Sequence, residues 1–334
     1  MRKGKHTYKA DEDIYVAGTY SIVGPTEGKG RFGCFFDDVL EDDEWECKTH
    51  EKTEIKMHKH AIEQVIDRAD KQRTDIDCLI GGDLLNQLVA SSFASREFEI
   101  PFVGVYSACA SFGEAMSLAM FMLGRGNMRT AVCCTGSHYG AVERQFRYPL
   151  ELGTQPTPAS QYTVTGAGSV LLSLEGKQGM PKLTHCTIGK IVDYGICDPN
   201  NMGAAMAPAA ADTILTHLKD TGRGEDYYDY IFTGDLGKFG RETVYYLCKK
   251  EGYDLSGCLN DCGSLIYADK QKDVQGGSGA GCSSVVFASY IYKEMCEGNI
   301  KRVLLVPTGA LLSKDSSLQG ESIPGIAHAV AFEL

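Results

Sequence analysis

The stretch VGVYSACASFGEAMSLAMFM, residues 103–122, opens as a short apolar strand, breaks at Ser107 and continues as a helix that is apolar nearly all round. A helix hydrophobic on every face belongs in an interior, so the rest of the chain is expected to fold around this one. Cys109 stands at the junction. A thiol in the first turn of a helix feels the positive end of the dipole, which favours thiolate. A strand–helix elbow is also one way to present a nucleophile. Most cysteines are simply small buried hydrophobes, and the elbow position sets that plain reading level with the functional one.

The 334 residues carry a formal charge of -11, and 43% of them are hydrophobic, ample for a full core. So acidic a balance argues against nucleic acid as a partner. It also means that an anionic ligand needs donors placed locally against the overall field. The thirteen cysteines include the adjacent Cys133 and Cys134, and no CxxC pair occurs. Cys258 and Cys262 have no second pair at metal-ligand spacing. Free thiols in a reducing cytoplasm are expected, with no cofactor and no structural metal. The basic start MRKGKHTYK leads into no apolar run, so no signal peptide is expected. No apolar run approaches the roughly 18 residues of a membrane span, and a soluble protein is expected.

Outward from the central stretch, the chain reads as two copies of one unit. A first strand is expected over 14–18, then an excursion over 21–56 pinned by Phe32, Phe35, Phe36 and Trp45. A helix over 58–73, a strand over 77–81 and a helix over 84–94 follow. After the central stretch come a strand over 130–135, a polar loop over 136–155 and strand-like pieces over 161–174. The second half repeats this. Asp77-Cys-Leu-Ile-Gly-Gly-Asp83-Leu84 matches Asp229-Tyr-Ile-Phe-Thr-Gly-Asp235-Leu236 at both aspartates, the second glycine and the leucine. Cys109 and Cys282 are each read as opening a helix that leads to a strand ending in Thr-Gly. The separation from cysteine to threonine is 26 residues in both copies, 109 to 135 and 282 to 308. Arg129 and Arg302 precede those strands, and 166–174 resembles 325–333 as a closing strand. Such self-similarity points to duplication. The expected fold is α/β, a duplicated unit with halves 1–178 and 179–334 packed as one pseudo-dimer. Five layers, α-β-α-β-α, place two mixed sheets around the central helices.

A duplicated α/β unit with cysteine before a central helix resembles the thiolase superfamily of thiolases and ketoacyl synthases. VYSACASFGEAMSLA resembles the nucleophile segment of the synthases, with Cys109 in the nucleophile's place. VQGGSGAGCSS and KRVLLVPTGALLS resemble their closing segment. GPTEGKGRFGCFFDD, GSHYGAVERQFRYPLE, VTGAGSVLL, DCGSLIYADKQ, GGSGAGCSS, VPTGALLSKDSS and ESIPGIAHAV resemble the stage V sporulation protein AD family. That resemblance covers essentially the whole chain. It implies binding of dipicolinic acid (pyridine-2,6-dicarboxylate), with or without calcium, and a part in loading it into the developing spore. It further implies membrane-protein partners, a peripheral place at the inner spore membrane, and a homodimer formed through the strand 130–135.

A Claisen condensation needs a thiolate, an oxyanion hole and a donor or base for the carbanion. Where the synthases resembled here place a histidine, this chain has Thr233-Gly234-Asp235-Leu236. An aspartate donates only when protonated. Their asparagine falls at Gly277. Ordinary synthase catalysis is therefore not expected, and Cys109 is read as a vestigial nucleophile lining a pocket. His138, beyond the 130–135 strand end, could serve as an unconventional base, and His328 in the last strand reads as a core residue. A dicarboxylate site instead needs convergent donors in an apolar cleft. The candidates are Cys109, Asn86, Ser137, His138, Arg144, Arg147, Gly277, Ser278 and Cys282. The arginines could each hold a carboxylate bidentately or form surface ion pairs. The polar loop residues could donate or merely make turns. The glycines of 276–281 would let backbone approach a ligand. Three readings stand at this point: a non-catalytic dipicolinate binder, an acyl-transferring enzyme using Cys109, and a structural adaptor of a membrane complex.

Overall fold

Each half of the chain builds the same five-stranded mixed sheet. The computed structural model describes residues 1–124, 126–146, 157–268, 271 and 274–334. In the first half the strands are β1 (Thr7–Val23), β2 (Asp38–Val39), β3 (Cys78–Gly82), β4 (Phe102–Gly104), β5 (Thr130–Ser137), β6 (Tyr162–Thr163) and β7 (Gly166–Ser173). The second half holds β8 (Lys182–Thr187), β9 (Tyr230–Thr233), β10 (Leu259–Asp261), β11 (Gly277–Ser278), β12 (Arg302–Val306), β13 (Thr308–Ala310), β14 (Gly325–Ala327) and β15 (Ala329–Glu333). The first half orders its sheet β4-β3-β5-β7-β1, and the second orders its own β10-β9-β12-β15-β8. Both run parallel, parallel, antiparallel, antiparallel along that order. The duplication seen in the sequence is thus carried into strand order and direction. The two sheets are joined edge to edge, because β1 pairs antiparallel with β8 through Thr7–Lys9 and Ile14–Tyr15. The strand expected over 14–18 is long for that reason: it serves both halves.

Helices fill three layers around these sheets. Those at His50–Arg68 and Val89–Ser95 cover the outer face of the first sheet, and those at Met202–Thr221 and Gly237–Lys250 cover the second. Between the sheets lie the helices Ser111–Met122 and Ala280–Val286, the latter continuing through a π turn at Phe287–Ile291. Phe287 links the layers, with its ring 5.9 Å from Phe112 and 4.4 Å from Phe332 of β15. The second central helix lies directly on β7. A Cβ at Gly168 would come within 2.4 Å of the Ser284 backbone, so only glycine fits there.

Several elements depart from the spacing-based expectations. The helix expected over 58–73 begins at His50, where the Thr49 side chain accepts from Lys52 N, and it ends at Arg68. The helix expected over 84–94 is broken by Gln87 and Leu88, both at positive φ, and is regular only over Val89–Ser95. Part of the loop expected over 136–155 is the helix Tyr139–Phe146. β5 is buried along its whole length and paired on both sides, with β3 and β7. It therefore offers no surface for the dimer contact expected at 130–135. The free edges of the sheet belong to β4 and β10.

Within the excursion, Phe32 stacks on Tyr290 at 4.6 Å, and Phe35 meets the same ring edge-on at 5.1 Å. Trp45 is covered by Lys56 Nζ at 4.0 Å. Glu27 is fully buried beneath this segment and accepts from Tyr267 Oη at 2.8 Å and Thr165 N at 3.3 Å. Burial pushes its carboxyl up to about 7 against these donors. The folded state therefore holds this proton more tightly than the unfolded chain. Its stabilisation is complete below about pH 4.5 and is lost as pH rises through about 7. Between pH 5 and 8, wild type is expected to lose of order 2–3 kcal/mol relative to Glu27→Gln. Urea midpoints of both proteins across that range measure it, and parallel curves would refute it.

The repeated first aspartate explains itself in the structure. Asp77 Oδ2 accepts from Arg129 N at 2.8 Å and Thr130 N at 3.0 Å, at the start of β5. Asp229 Oδ2 accepts from Lys301 N at 2.7 Å and Arg302 N at 2.8 Å, at the start of β12. Each carboxylate thus sets the register of the neighbouring parallel strand. Asp77→Ala and Asp229→Ala are each expected to cost about 1–2 kcal/mol in urea unfolding, by similar amounts if the two clamps are equivalent.

Candidate functional site

A cavity of about 310 Å³ opens beside Cys109, between the two halves. Its apolar wall includes Leu84, Val142, Phe146, Met206 and Leu312, and Tyr106 and Lys314 stand at its exposed end. Gln161, Thr163 and Ser278 supply polar groups deeper in.

Contrary to the sequence expectation, Cys109 does not sit in the first turn of a helix. The central helix starts at Ser111, and Ala108 has a φ of 50°, so the chain turns sharply just before the thiol. The Ser107 amide is held by Ser111 Oγ at 3.0 Å, which closes this turn. Cys282 lies inside its helix rather than opening it, and its thiol donates to Gly234 O at 3.5 Å.

Behind Cys109 and Ser278 of the cavity wall lies a buried carboxylate. Asp235 follows β9 and is almost wholly inaccessible to solvent. Its Oδ1 accepts from Thr308 Oγ1 at 2.7 Å, and its Oδ2 from Ser278 Oγ at 2.9 Å and Gly279 N at 3.1 Å. The Cys109 thiol lies 4.0 Å from Ser278 Oγ, which bridges it to this carboxylate. Asp261 holds the same turn from behind. It accepts from Thr233 Oγ1, Leu236 N, Gly237 N and Ser264 N at 2.7–3.0 Å. Burial raises the Asp261 carboxyl to about 6.

This geometry reverses the electrostatics read from the sequence. Desolvation, and then the negative charge of Asp235, hold the Cys109 thiol well above its ordinary value. The sulfur is therefore a thiol at neutral pH. A positive helix end would favour thiolate; burial and a neighbouring carboxylate oppose it.

Of the residues singled out from the sequence, Cys109 and Ser278 line the cavity. The others do not. Arg144 is on the surface, paired with Glu51 at 3.1 Å. Arg147 lies outside the described residues. Asn86 is exposed and donates its backbone amide to Gln145 Oε1 at 3.0 Å. Ser137 Oγ donates to Val164 O at 2.7 Å and accepts from Gly281 N at 3.2 Å. Both ring nitrogens of His138 are engaged: Nε2 donates to Asp43 O at 2.7 Å and Nδ1 accepts from Gly140 N at 3.1 Å. Burial lowers its pKa, and its ring stacks on His50 at 4.9 Å, away from the thiol. Gly277 is packed against protein, since a Cβ there would meet Ile266 and Val164 within 3 Å.

His328 is a core residue with a local task. Its Nδ1 accepts from Gly189 N at 3.3 Å, so Nε2 carries the proton toward Ser107 Oγ, also at 3.3 Å. Ser107 in turn donates to Glu114 at 2.7 Å. Burial takes the His328 pKa down to about 4, so the ring is neutral. The residues that sequence reasoning missed are Tyr106, Glu143, Gln161, Thr163, Asn200 and Lys314. No motif marks them in the sequence; it is the pairing of β6 with β11 that sets Tyr162–Thr163, and Gln161 just before them, beside Gly277–Ser278.

Iodoacetamide at pH 8 is expected to label the exposed Cys34, Cys197 and Cys296 first, with Cys109 at least tenfold slower. Asp235→Asn removes the opposing charge and is expected to speed labelling of Cys109 by about tenfold. Peptide mass mapping reads both, and a Cys109 that outpaces the exposed thiols in wild type would refute this picture of the site.

The family model for stage V sporulation protein AD (SpoVAD) matches residues 4–333. Stage V sporulation protein AD of Bacillus subtilis (strain 168) is 41% identical over 330 residues, covering 99% of this chain and 97% of that protein. Among solved structures, a cysteine-to-alanine variant of OleA from Xanthomonas campestris superposes with a TM-score of 0.66 at 14% identity, covering 97% of each chain. The 3-oxoacyl-[acyl-carrier-protein] synthase III from Aquifex aeolicus VF5 gives 0.60 at 11% identity, covering 96% of this chain and 100% of its own. The tetronic acid condensing enzyme AbyA1 gives 0.61 at 14%, again with 96% and 100% covered. These structures share the thiolase-like fold, and the family match over nearly the whole length makes this chain a member of the stage V sporulation protein AD family.

Proposed function

We propose that this sporulation protein binds dipicolinate in the cavity beside Cys109 and performs no acyl transfer. In this reading it helps load the compound into the developing spore together with membrane-protein partners. The observation that carries the proposal is the placement of the Cys109 thiol beside the buried Asp235 carboxylate, with Ser278 Oγ between them, 4.0 Å from the sulfur and 2.9 Å from Asp235 Oδ2. A condensing site needs a thiolate with a donor beside it; this site holds a thiol beside an acceptor that is already saturated with donors. What remains is a pocket of small-ligand size, mostly apolar, with a few polar groups on its wall. No helix among the described residues is long and apolar enough to cross a membrane, so a role at the spore membrane would run through partners. A copy-to-copy contact would use the free edge at β4 rather than β5.

A second reading has one observation in its favour. Cys109 faces the cavity, and one of the structures sharing this fold, OleA, was solved with lauric acid and lauroyl-CoA bound. Calorimetric titration with dipicolinate, with and without calcium, separates the two readings, with pyridine-2-carboxylate as control and Cys109→Ala alongside. Saturable binding that weakens for the monocarboxylate and survives Cys109→Ala is expected. No heat up to millimolar dipicolinate, together with an acyl adduct on Cys109 by mass after incubation with an acyl-CoA, would reverse the assignment.

A further inference from the structure

One apolar wall of the cavity is made by two short segments that lie apart in the chain. Leu84 comes from the turn that follows β3, and Val142 and Phe146 come from the helix Tyr139–Phe146. These three side chains belong to the small packed cluster that also holds Cys109, whose residue is only 9% exposed. A single side chain ties the two segments together. Gln145 Oε1 accepts from Asn86 N at 3.0 Å, and its Nε2 donates to Leu84 O at 3.2 Å. Both ends of the amide are thus spent on the backbone that carries Leu84. The turn so held is strained. Gln87 and Leu88, next to Asn86, are consecutive non-glycine residues with φ of 59° and 54°, a left-handed conformation that a side chain disfavours. Asn86 and Gln87 are exposed, so little packing beyond the Gln145 amide holds that end of the turn in place.

We propose that these two segments form a gate over the Cys109 end of the cavity, with Gln145 as its latch. Latched, Leu84 stays packed with Val142 and Phe146, and the thiol is covered. Released, the 84–88 turn sheds its backbone strain, Leu84 parts from the helix, and the Cys109 end opens to an incoming ligand. Strain in the turn favours release and the two Gln145 hydrogen bonds oppose it, so the two forms are closely balanced. Local opening of this kind needs no loosening of the sheets. The gate works on access and packing, not on the identity of the ligand, and so goes beyond the dipicolinate reading without resting on it.

The test uses the thiols of the full-length protein as reporters, with iodoacetamide at pH 8 and peptide mass mapping of each labelling rate. Cys109 reads the gate, while Cys133 of β5 and Cys248 of the helix Gly237–Lys250, both fully buried, read global opening. In Gln145→Ala, Cys109 is expected to label about tenfold faster than in wild type, with Cys133 and Cys248 unchanged, because the lost hydrogen bonds act on the gate alone. Gln87→Gly relieves the strain and leaves the latch in place, so Cys109 is expected to label about threefold more slowly there. The two variants thus move one rate in opposite directions. An unchanged Cys109 rate in Gln145→Ala overturns the proposal, since the thiol would then be reached through the standing mouth of the cavity. Acceleration of all three cysteines together also overturns it, because Gln145 would then merely stabilise the fold. If Gln145→Ala does not fold, Gln87→Gly decides alone: slower labelling of Cys109 supports the gate, and labelling at the wild-type rate or faster overturns it.

Discussion

The site depends on one buried carboxylate. Asp235 sits at the turn after β9, where the two halves of the molecule meet, and collects donors from two segments: Thr308 at the start of β13, and Ser278 and Gly279 ahead of the second central helix. A charge taken so far from water is tolerable only when its hydrogen-bonding capacity is filled. Meeting that demand orients the Ser278 hydroxyl and the glycine-rich turn together, beside the Cys109 thiol. Desolvation, and then the negative charge of the aspartate, hold that thiol toward its protonated form.

The fold was legible in the sequence because duplication and burial leave signals that survive without side-chain detail. The two Asp-x-x-x-x-Gly-Asp-Leu segments and the equal cysteine-to-threonine separations located corresponding strands, and the structure gives them the same order and directions. What was misjudged lay at element ends. Gln87 and Leu88 break a helix that periodicity made continuous, because positive φ leaves no compositional trace at a glutamine and a leucine. β5 carries the apolar composition of any buried strand, and nothing in that composition distinguishes pairing on both sides from a free edge.

The site was less legible, for a reason of the same kind. Arg144 and His138 have the right chemistry for holding a carboxylate, and residue type alone does not reveal that Glu51 or the Asp43 carbonyl already occupies them. Gln161 is the reverse case. It follows a polar segment and looks like any loop amide. Two carbonyls, Asp235 O and Gly277 O, claim its nitrogen and hold it at the cavity wall, while its oxygen is buried. Which atoms of a side chain are already spent is a property of tertiary structure.

Comparison of the two copies shows how far one position can diverge within one fold. Asp83 and Asp235 occupy the same place in the repeated segment. Asp83 turns its carboxylate to Leu85 N and to the amide and hydroxyl of Ser91, and so fixes the start of the outer helix of its own half. In the second copy that mechanical task has passed to Asp261, which holds Leu236 N and Gly237 N at the start of the helix Gly237–Lys250. Asp235 is thereby released from capping its own helix and faces across the pseudo-twofold toward Cys109. The asymmetry between the copies, rather than their likeness, is what places this carboxylate behind the cavity wall at Ser278. It arises because a second buried aspartate, 26 residues further along the chain, takes over the backbone donors that the first would otherwise have to satisfy.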